Sequence, residues 1–129
     1  MKVILDGRFM IECLRKRIDF ISQLKDKGFS IAVPKESIQE LKDIKRSPLQ
    51  SKEEKVMVNE VMDIIKREKI EKKSAGQGKM SDWLLKQSND GFYIGTQDSV
   101  LRRKAPNVVV INESNGIEIQ TTERRDENG

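Results

Sequence analysis

The stretch FYIGTQDSVLRRK, residues 92–104, carries an apolar run that leads within a few residues to an acidic side chain. Residues 92–94 are typical of a buried strand, and Asp98 follows them just before a segment of helical character. The segment KVILDGR, residues 2–8, repeats this arrangement with Asp6. In an open parallel sheet, ligands bind beyond the carboxyl ends of the strands, where the strand order reverses. The two segments therefore predict that both aspartates lie at one site, provided that their strands are neighbours.

Apolar runs alternate with helical patterns along the rest of the chain. Strands are expected at 2–6, 29–33, 92–96 and 108–111, with a half-exposed edge strand at 117–120. Helices are expected at 8–27, with a break or a second start at Asp19, and at 34–44, 52–70, 81–87 and 98–104. This alternation predicts the α/β class, with a mostly parallel central sheet covered by helices on both faces.

Turn signals and polar segments complete the expected layout. The turn at 112–116 is short, so the last two strands are expected to form an antiparallel edge hairpin. Ser51 is expected to cap the following helix, with Glu54 three residues on. Residues 71–79 are polar and are expected to form a flexible loop. One domain is expected over residues 1–122, followed by a disordered tail at 123–129.

The composition excludes several classes of chemistry. The chain has 129 residues and no histidine, which rules out histidine acid–base catalysis, the Ser-His-Asp triad and nearly every zinc site. Its single cysteine, Cys13, allows no internal disulfide and fits a reducing compartment. No run approaches the roughly 20 apolar residues of a membrane span, so a cytoplasmic protein without membrane contact is expected. The net charge of +4 is compatible with a polyanionic partner.

Four acidic residues are candidates for a common site. They are Asp6, Glu40, Asp82 and Asp98. Carboxylates that converge repel one another unless cations neutralise them, and Mg²⁺ and Mn²⁺ are oxygen-binding ions that need no histidine. Such ions support phosphodiester hydrolysis. Each acid alone also has an ordinary interpretation: Asp6 and Asp98 as helix N-caps, Glu40 as a solvated helix residue, and Asp82 as a first-turn residue favoured by the helix dipole.

Four segments together cover about residues 2–112: VILDGRFM, IAVPKESIQELKDI, KMSDWLLKQSNDGFYIGTQDSVLRRK and NVVVI. These segments resemble the PIN-domain ribonucleases, most closely the archaeal and eukaryotic branch that includes the ribosomal small-subunit processing proteins. The resemblance implies a parallel α/β/α sandwich and RNA cleavage that depends on Mg²⁺ or Mn²⁺. It implies that Asp6, Asp82 and Asp98 hold metal, that Glu40 completes the cluster or orients water, and that Thr96 supports the site.

The sequence departs from the family pattern directly after Asp6. The family commonly has Thr or Ser and then Asn or Ser there, whereas this chain has Gly7 and Arg8. Arg8 is expected either to bind phosphate or to form a salt bridge that weakens metal binding. Three further cations, Arg102, Arg103 and Lys104, are expected either to contact RNA phosphates or to form a solvated face.

These observations leave competing functions. The first is a metal-dependent endoribonuclease, acting in ribosomal RNA processing or as the toxin of a toxin–antitoxin pair. The second is a catalytically weak or inactive PIN-like protein that binds RNA or serves in assembly, which the Gly7-Arg8 departure favours. The third is a small-molecule phosphatase or nucleotide-binding protein, although the segment AGQGK at 75–79 is not a complete phosphate loop. Expected partners are RNA, a ribosome-assembly factor or an antitoxin, and a second copy of the chain.

Overall fold

The computed structural model describes residues 1–121, so the expected tail at 123–129 lies outside the described residues. The strands are β1 (Lys2–Leu5), β2 (Ser30–Pro34), β3 (Glu71–Lys73), β4 (Tyr93–Gly95), β5 (Asn107–Ile111) and β6 (Ile117–Thr121). The helices are α1 (Gly7–Arg15), α2 (Phe20–Asp26), α3 (Lys35–Arg46), α4 (Lys52–Arg67), α5 (Met80–Asn89) and α6 (Ser99–Lys104). None of these helices is long and apolar enough to cross a membrane.

The six strands form one sheet in the order β3-β2-β1-β4-β5-β6. All pairs are parallel except β5 with β6, which confirms the expected antiparallel hairpin at the C-terminal edge. The chain winds outward from β1 in one direction through β2 and β3, and in the other direction through β4 and β5. The strand order therefore reverses between β1 and β4, the two strands that lead to Asp6 and Asp98.

Alternate residues along a strand pack into two separate hydrophobic cores, one on each face of the sheet. Val3 and Leu5 of β1 pack with residues of α1, α2, α3 and α4, whereas Ile4 packs with Leu84 of α5 and Leu101 of α6. All five side chains are buried. The sheet thus lies between a layer of four helices and a layer of two, which confirms the three-layer α/β/α sandwich.

The expected helix at 8–27 is divided into α1 and α2. Asp19 is the N-cap of α2, and its Oδ1 accepts a hydrogen bond from the backbone N–H of Ser22 at 3.1 Å. A second helix start at this aspartate is therefore confirmed.

The expectation of a flexible loop over 71–79 is wrong for its first three residues. Glu71–Lys73 forms the parallel edge strand β3, paired with β2 in the register Ala32↔Glu71 and Val33↔Lys72. An edge strand needs only one partner, and charged side chains protect its open side from pairing with another chain. The strand is therefore stabilised by tertiary pairing, and no apolar run marks it in the sequence.

A left-handed residue that is not glycine follows the end of α4. The helix was expected to reach residue 70 but ends at Arg67, and Lys69 adopts a φ of 50°. The backbone N–H of Ile70 then donates to the carbonyl of Ile65 at 3.0 Å, the bond that closes a Schellman motif. Glycine adopts this conformation without strain, whereas a side chain does not.

Lys69→Gly is therefore expected to raise the free energy of unfolding by about 0.5–1 kcal/mol. Lys66→Gly is the matched control, because Lys66 is inside α4 and glycine there is expected to lower stability by about 1 kcal/mol. Urea denaturation measures both. Equal losses in the two variants would show that residue 69 is not held in the left-handed conformation.

Candidate active site

The carboxyl ends of β1 and β4 place two aspartates at one pocket. Leu5 is in register with Gly95, and the backbone N–H of Asp6 donates to the carbonyl of Gly95 at 3.0 Å. Asp98 follows β4 by three residues. Both aspartates line a cavity of about 450 Å³ that is open to solvent. The site thus lies at the reversal of strand order, where open α/β sheets bind ligands.

Both aspartates also cap helices, as their ordinary interpretation predicted. The backbone N–H of Phe9 donates to Oδ1 of Asp6 at 2.8 Å. Val100 and Leu101 donate to Oδ1 of Asp98 at 3.0 and 3.1 Å. Capping and ligand binding are compatible, because both bonds to Asp98 end on Oδ1 and leave Oδ2 for another partner. The caps fix the two side chains at the edge of the pocket.

Burial makes Asp6 the most perturbed acid of the pocket. It is 8% exposed, and the loss of water raises the pKa of its carboxyl to about 6 from an ordinary value of 3.8. The Thr96 hydroxyl and the Phe9 N–H lower this pKa, while the negative charges of Glu40 and Asp98 raise it further. Thr96, itself buried, also accepts a hydrogen bond from the backbone N–H of Asp98 at 3.1 Å. A position between the two aspartates is consistent with the supporting role expected of Thr96.

Two acids that the sequence analysis did not select also line this pocket. Glu12 lies on α1 and Glu54 on α4, and with Asp6, Glu40 and Asp98 they make five carboxylates. Ser51 caps α4 as expected, since its hydroxyl accepts the backbone N–H of Glu54 at 3.1 Å. The carboxylate of Glu54 instead turns towards the arginines of α1. The packing of α4 against α1 brings Glu54 to the site, whereas Glu12 belongs to the helix that Asp6 caps.

Two arginines oppose the five carboxylates. Arg15 is held firmly, with nitrogens 2.6 Å from oxygens of both Glu12 and Glu54. Arg8 is held loosely, at 3.9 Å from Glu40 and 3.6 Å from Glu54, and half of its side chain is exposed. The pocket lining therefore keeps an excess of acidic residues, and Arg8 is the cation in it with the weaker contacts.

The fold around this pocket is shared with a known nuclease. The chain is similar to the solved structure of the PIN domain endonuclease Utp24, with a TM-score of 0.69 over 93% of this chain and 92% of that chain. The chain has the PIN-domain fold. The two sequences are 15% identical, a level at which the likeness is one of fold. No protein-family model matches the sequence, and no curated protein matches it.

The remaining expected site residues lie outside the lining of this pocket. Asp82 is exposed in the first turn of α5, where Met80, Ser81 and Leu84 form the pocket wall. The structure does not bring Asp82 into this lining. Arg102, Arg103 and Lys104 occupy the last turn of α6, and they do not line the pocket either.

The donor atoms of the pocket suit a hard divalent cation. Within residues 1–121, no three acidic or cysteine side chains are close enough to form a ready-made ligand cluster. Asp6, Asp98 and Glu40 nevertheless line one cavity, and the negative charges of Glu40 and Asp98 contribute to the raised pKa of Asp6. Carboxylate and hydroxyl oxygens without imidazole or thiolate favour Mg²⁺ or Mn²⁺ over softer metals. The residues present therefore fit the ion that the resemblance implies.

Proposed function

We propose that this protein is an endoribonuclease that hydrolyses RNA phosphodiester bonds with Mg²⁺ or Mn²⁺. The observation that carries the proposal is the placement of Asp6 and Asp98 at the ends of neighbouring parallel strands. They share with Glu40 a solvent-open pocket that has an excess of acidic residues. The PIN-domain fold supports it, since the similar structure of Utp24 is that of an endonuclease.

Asp6 and Asp98 would hold the ion, with Glu40 beside them. Asp82 remains a proposed ligand on the strength of the resemblance, since Ser81 next to it forms part of the pocket wall. When bound, the ion would activate water and stabilise the charge that develops on the phosphate. The chain's own contribution is positional: the two helix caps hold the carboxylates, and Thr96 fixes the backbone of Asp98.

Cations that line the pocket, and others outside its lining, fit an RNA backbone. Arg8 has long contacts to its acidic partners and a half-exposed side chain, so a phosphate can replace them. The last turn of α6, the helix that Asp98 caps, contains Arg102, Arg103 and Lys104. These cations would contact phosphates farther along the RNA. Ribosomal RNA precursors and the targets of a toxin are the two proposed substrate settings, with an assembly factor or an antitoxin as the corresponding protein partner.

A labelled single-stranded RNA and a labelled structured RNA test the proposal. Each is incubated with the protein in Mn²⁺, in Mg²⁺ and in EDTA. Internal cuts that need the metal are expected. A protein that hydrolyses a small phosphate monoester but leaves RNA intact would contradict the proposal in favour of a phosphatase.

The second candidate is an inactive RNA-binding or assembly protein of the same fold. The contacts of Arg8 favour it, because a cation between Glu40 and Glu54 partly neutralises the acids that would attract metal. The same assay separates the two candidates. RNA that is bound equally in Mn²⁺ and EDTA, and is cut in neither, would establish the second.

Arg8→Gln is expected to strengthen Mn²⁺ binding about two- to fivefold, since an exposed ion pair contributes up to about 1 kcal/mol. The same change is expected to weaken RNA binding and to reduce its salt dependence by about one phosphate contact. Calorimetry measures the first effect and fluorescence anisotropy the second. Arg46→Gln, at the exposed end of α3, is the control. Weaker Mn²⁺ binding in Arg8→Gln would contradict this assignment.

A further inference from the structure

A second concave surface lies beside the edge strand β3. It is a groove of about 590 Å³ and shares no lining residue with the acidic pocket. Ile38 and Lys42 of α3 line one wall, and residues of α4 line the other. At the β3 end the groove is lined by Ile70 and Lys72. The α4 residues of this lining are Met62, Ile65 and Lys66, and Lys69 follows the end of α4. We call this set of lining residues the lysine groove.

Helical spacing produces the walls of the lysine groove. Ile38 and Lys42 are four residues apart, so they lie on one face of α3. Met62, Ile65 and Lys66 follow the same rule on α4. Ile65 and Ile70 are buried, whereas Ile38 and Met62 are only partly covered. The groove thus has an aliphatic floor that is partly open to solvent, and methionine gives such a floor an adaptable shape.

The acidic and the basic side chains near the end of α4 have different surroundings. The segment EKIEKK, residues 68–73, contains two acids, and neither of them lines the groove. Glu68 pairs with Lys25 at 2.9 Å, and Glu71 pairs with Lys2. Lys69 and Lys72 of the same segment line the groove instead. The lining therefore contains four lysines and no acid, and within residues 1–121 none of the four forms an ion pair.

We propose that the lysine groove binds an acidic segment of another protein that carries aliphatic side chains. Its aliphatic residues would cover Ile38 and Met62, and its carboxylates would pair with the four lysines around the floor.

Other occupants fit the lysine groove less well. RNA phosphates would pair with the lysines, but the lining has no aromatic or arginine plane on which a base would stack, so RNA would leave the aliphatic floor uncovered. A symmetric contact with a second copy of the chain would bring the lysines of one groove against those of the other, and like charges repel.

Selection from a displayed library of random short peptides tests the proposal on the full chain. The wild type is the target, and a Lys66→Glu/Lys69→Glu variant is the comparison against which each enriched peptide is measured. We expect enriched sequences that combine Asp or Glu with Leu, Ile or Val. An enriched peptide, resynthesised with a fluorophore, is expected to bind the charge-reversed variant at least about tenfold more weakly. Lys52→Glu, at the opposite end of α4, is expected to leave binding unchanged.

Every other outcome overturns the proposal. Peptides without acidic residues, or peptides that bind wild type and variant equally, would place the attraction elsewhere. RNA binding or self-association that is lost in the variant would assign the groove to RNA or to a second copy. Failure to enrich any sequence would show that the groove binds no such segment. Circular dichroism is used to check that the variant is folded. Its rate of RNA cleavage is expected to equal that of the wild type, because the groove lies apart from the acidic pocket.

Discussion

Replacing Asp6 with asparagine is expected to raise the free energy of unfolding of the metal-free protein by about 2 kcal/mol at pH 7. The carboxyl of Asp6 has a pKa of about 6 in the folded protein, mainly because burial removes it from water. At pH 7 the native state therefore holds a charge that it disfavours. Asparagine is neutral and caps helices about as well as aspartate, so the hydrogen bond from the Phe9 N–H is kept.

The pH dependence distinguishes this explanation from a simple packing effect. Between about pH 4 and 6 the native protein retains a proton on Asp6 that the unfolded chain has lost. Protonated Asp6 therefore stabilises the folded wild type fully below the pKa that Asp6 has in the unfolded chain. This stabilisation is lost as the pH rises through the pKa of Asp6 in the folded protein, about 6. Urea denaturation from pH 3.5 to 7.5 is expected to show a growing advantage of Asp6→Asn over wild type, with little difference at the acid end.

A constant advantage across this pH range would contradict the burial of a charged Asp6. The control is Asp90→Asn, since Asp90 is exposed at the end of α5. This control is expected to change stability by less than about 0.5 kcal/mol at every pH. If the proposed function holds, Asp6→Asn also loses RNA cleavage. The charged Asp6 of the wild type then lowers the stability of the protein but is required for its activity.

Gly95→Ala is expected to lower the free energy of unfolding by about 1–3 kcal/mol. A Cβ atom at this position would lie 2.6 Å from Cδ2 of Leu5 and 3.2 Å from Cδ1 of Phe9. Both neighbours are fully buried, so neither has free space to move into. Because the Gly95 carbonyl accepts the Asp6 N–H, the strain also reaches the ends of both strands that form the pocket.

Gly116→Ala is the matched control for this prediction. A Cβ atom there would meet its nearest neighbour, Nδ2 of Asn112, at 3.5 Å, which is an ordinary contact. Thermal unfolding of both variants measures the difference. A Gly95→Ala protein as stable as the Gly116→Ala protein would show that β1, β4 and α1 are less closely packed than the structure describes.

Strand pairing made the centre of the site predictable from the sequence. Residues 3–5 and 92–94 are continuously apolar because β1 and β4 are covered on both sides, and an aspartate follows the end of each strand within three residues. Parallel strands end at the same edge of a sheet, so their neighbour relation brought Asp6 and Asp98 together. The N-cap interpretation of both residues was also confirmed, because capping depends on local spacing alone.

The rest of the pocket depends on contacts that the sequence does not encode locally. Glu12 and Arg15 pair within α1 at a spacing that is also typical of solvated helix residues, and only the packing of α1 against α4 adds Glu54 to them. The edge strand β3 was missed because its three residues are charged and its order comes from pairing with β2. The position of Asp82 relative to the pocket wall likewise depends on how α5 is oriented, which spacing along the chain does not determine.

The rate at which Asp98→Asn cuts bound RNA in Mn²⁺ tests the central claim most directly. Asparagine keeps the cap of α6, so the variant is expected to fold and to bind RNA like the wild type. It removes one charged ligand from the pocket, and the single-turnover rate is expected to fall by about a hundredfold or more. Glu113→Gln, in the exposed turn before β6, is expected to cut at the wild-type rate. A rate for Asp98→Asn within about threefold of the wild type would contradict a metal-dependent carboxylate site at this position.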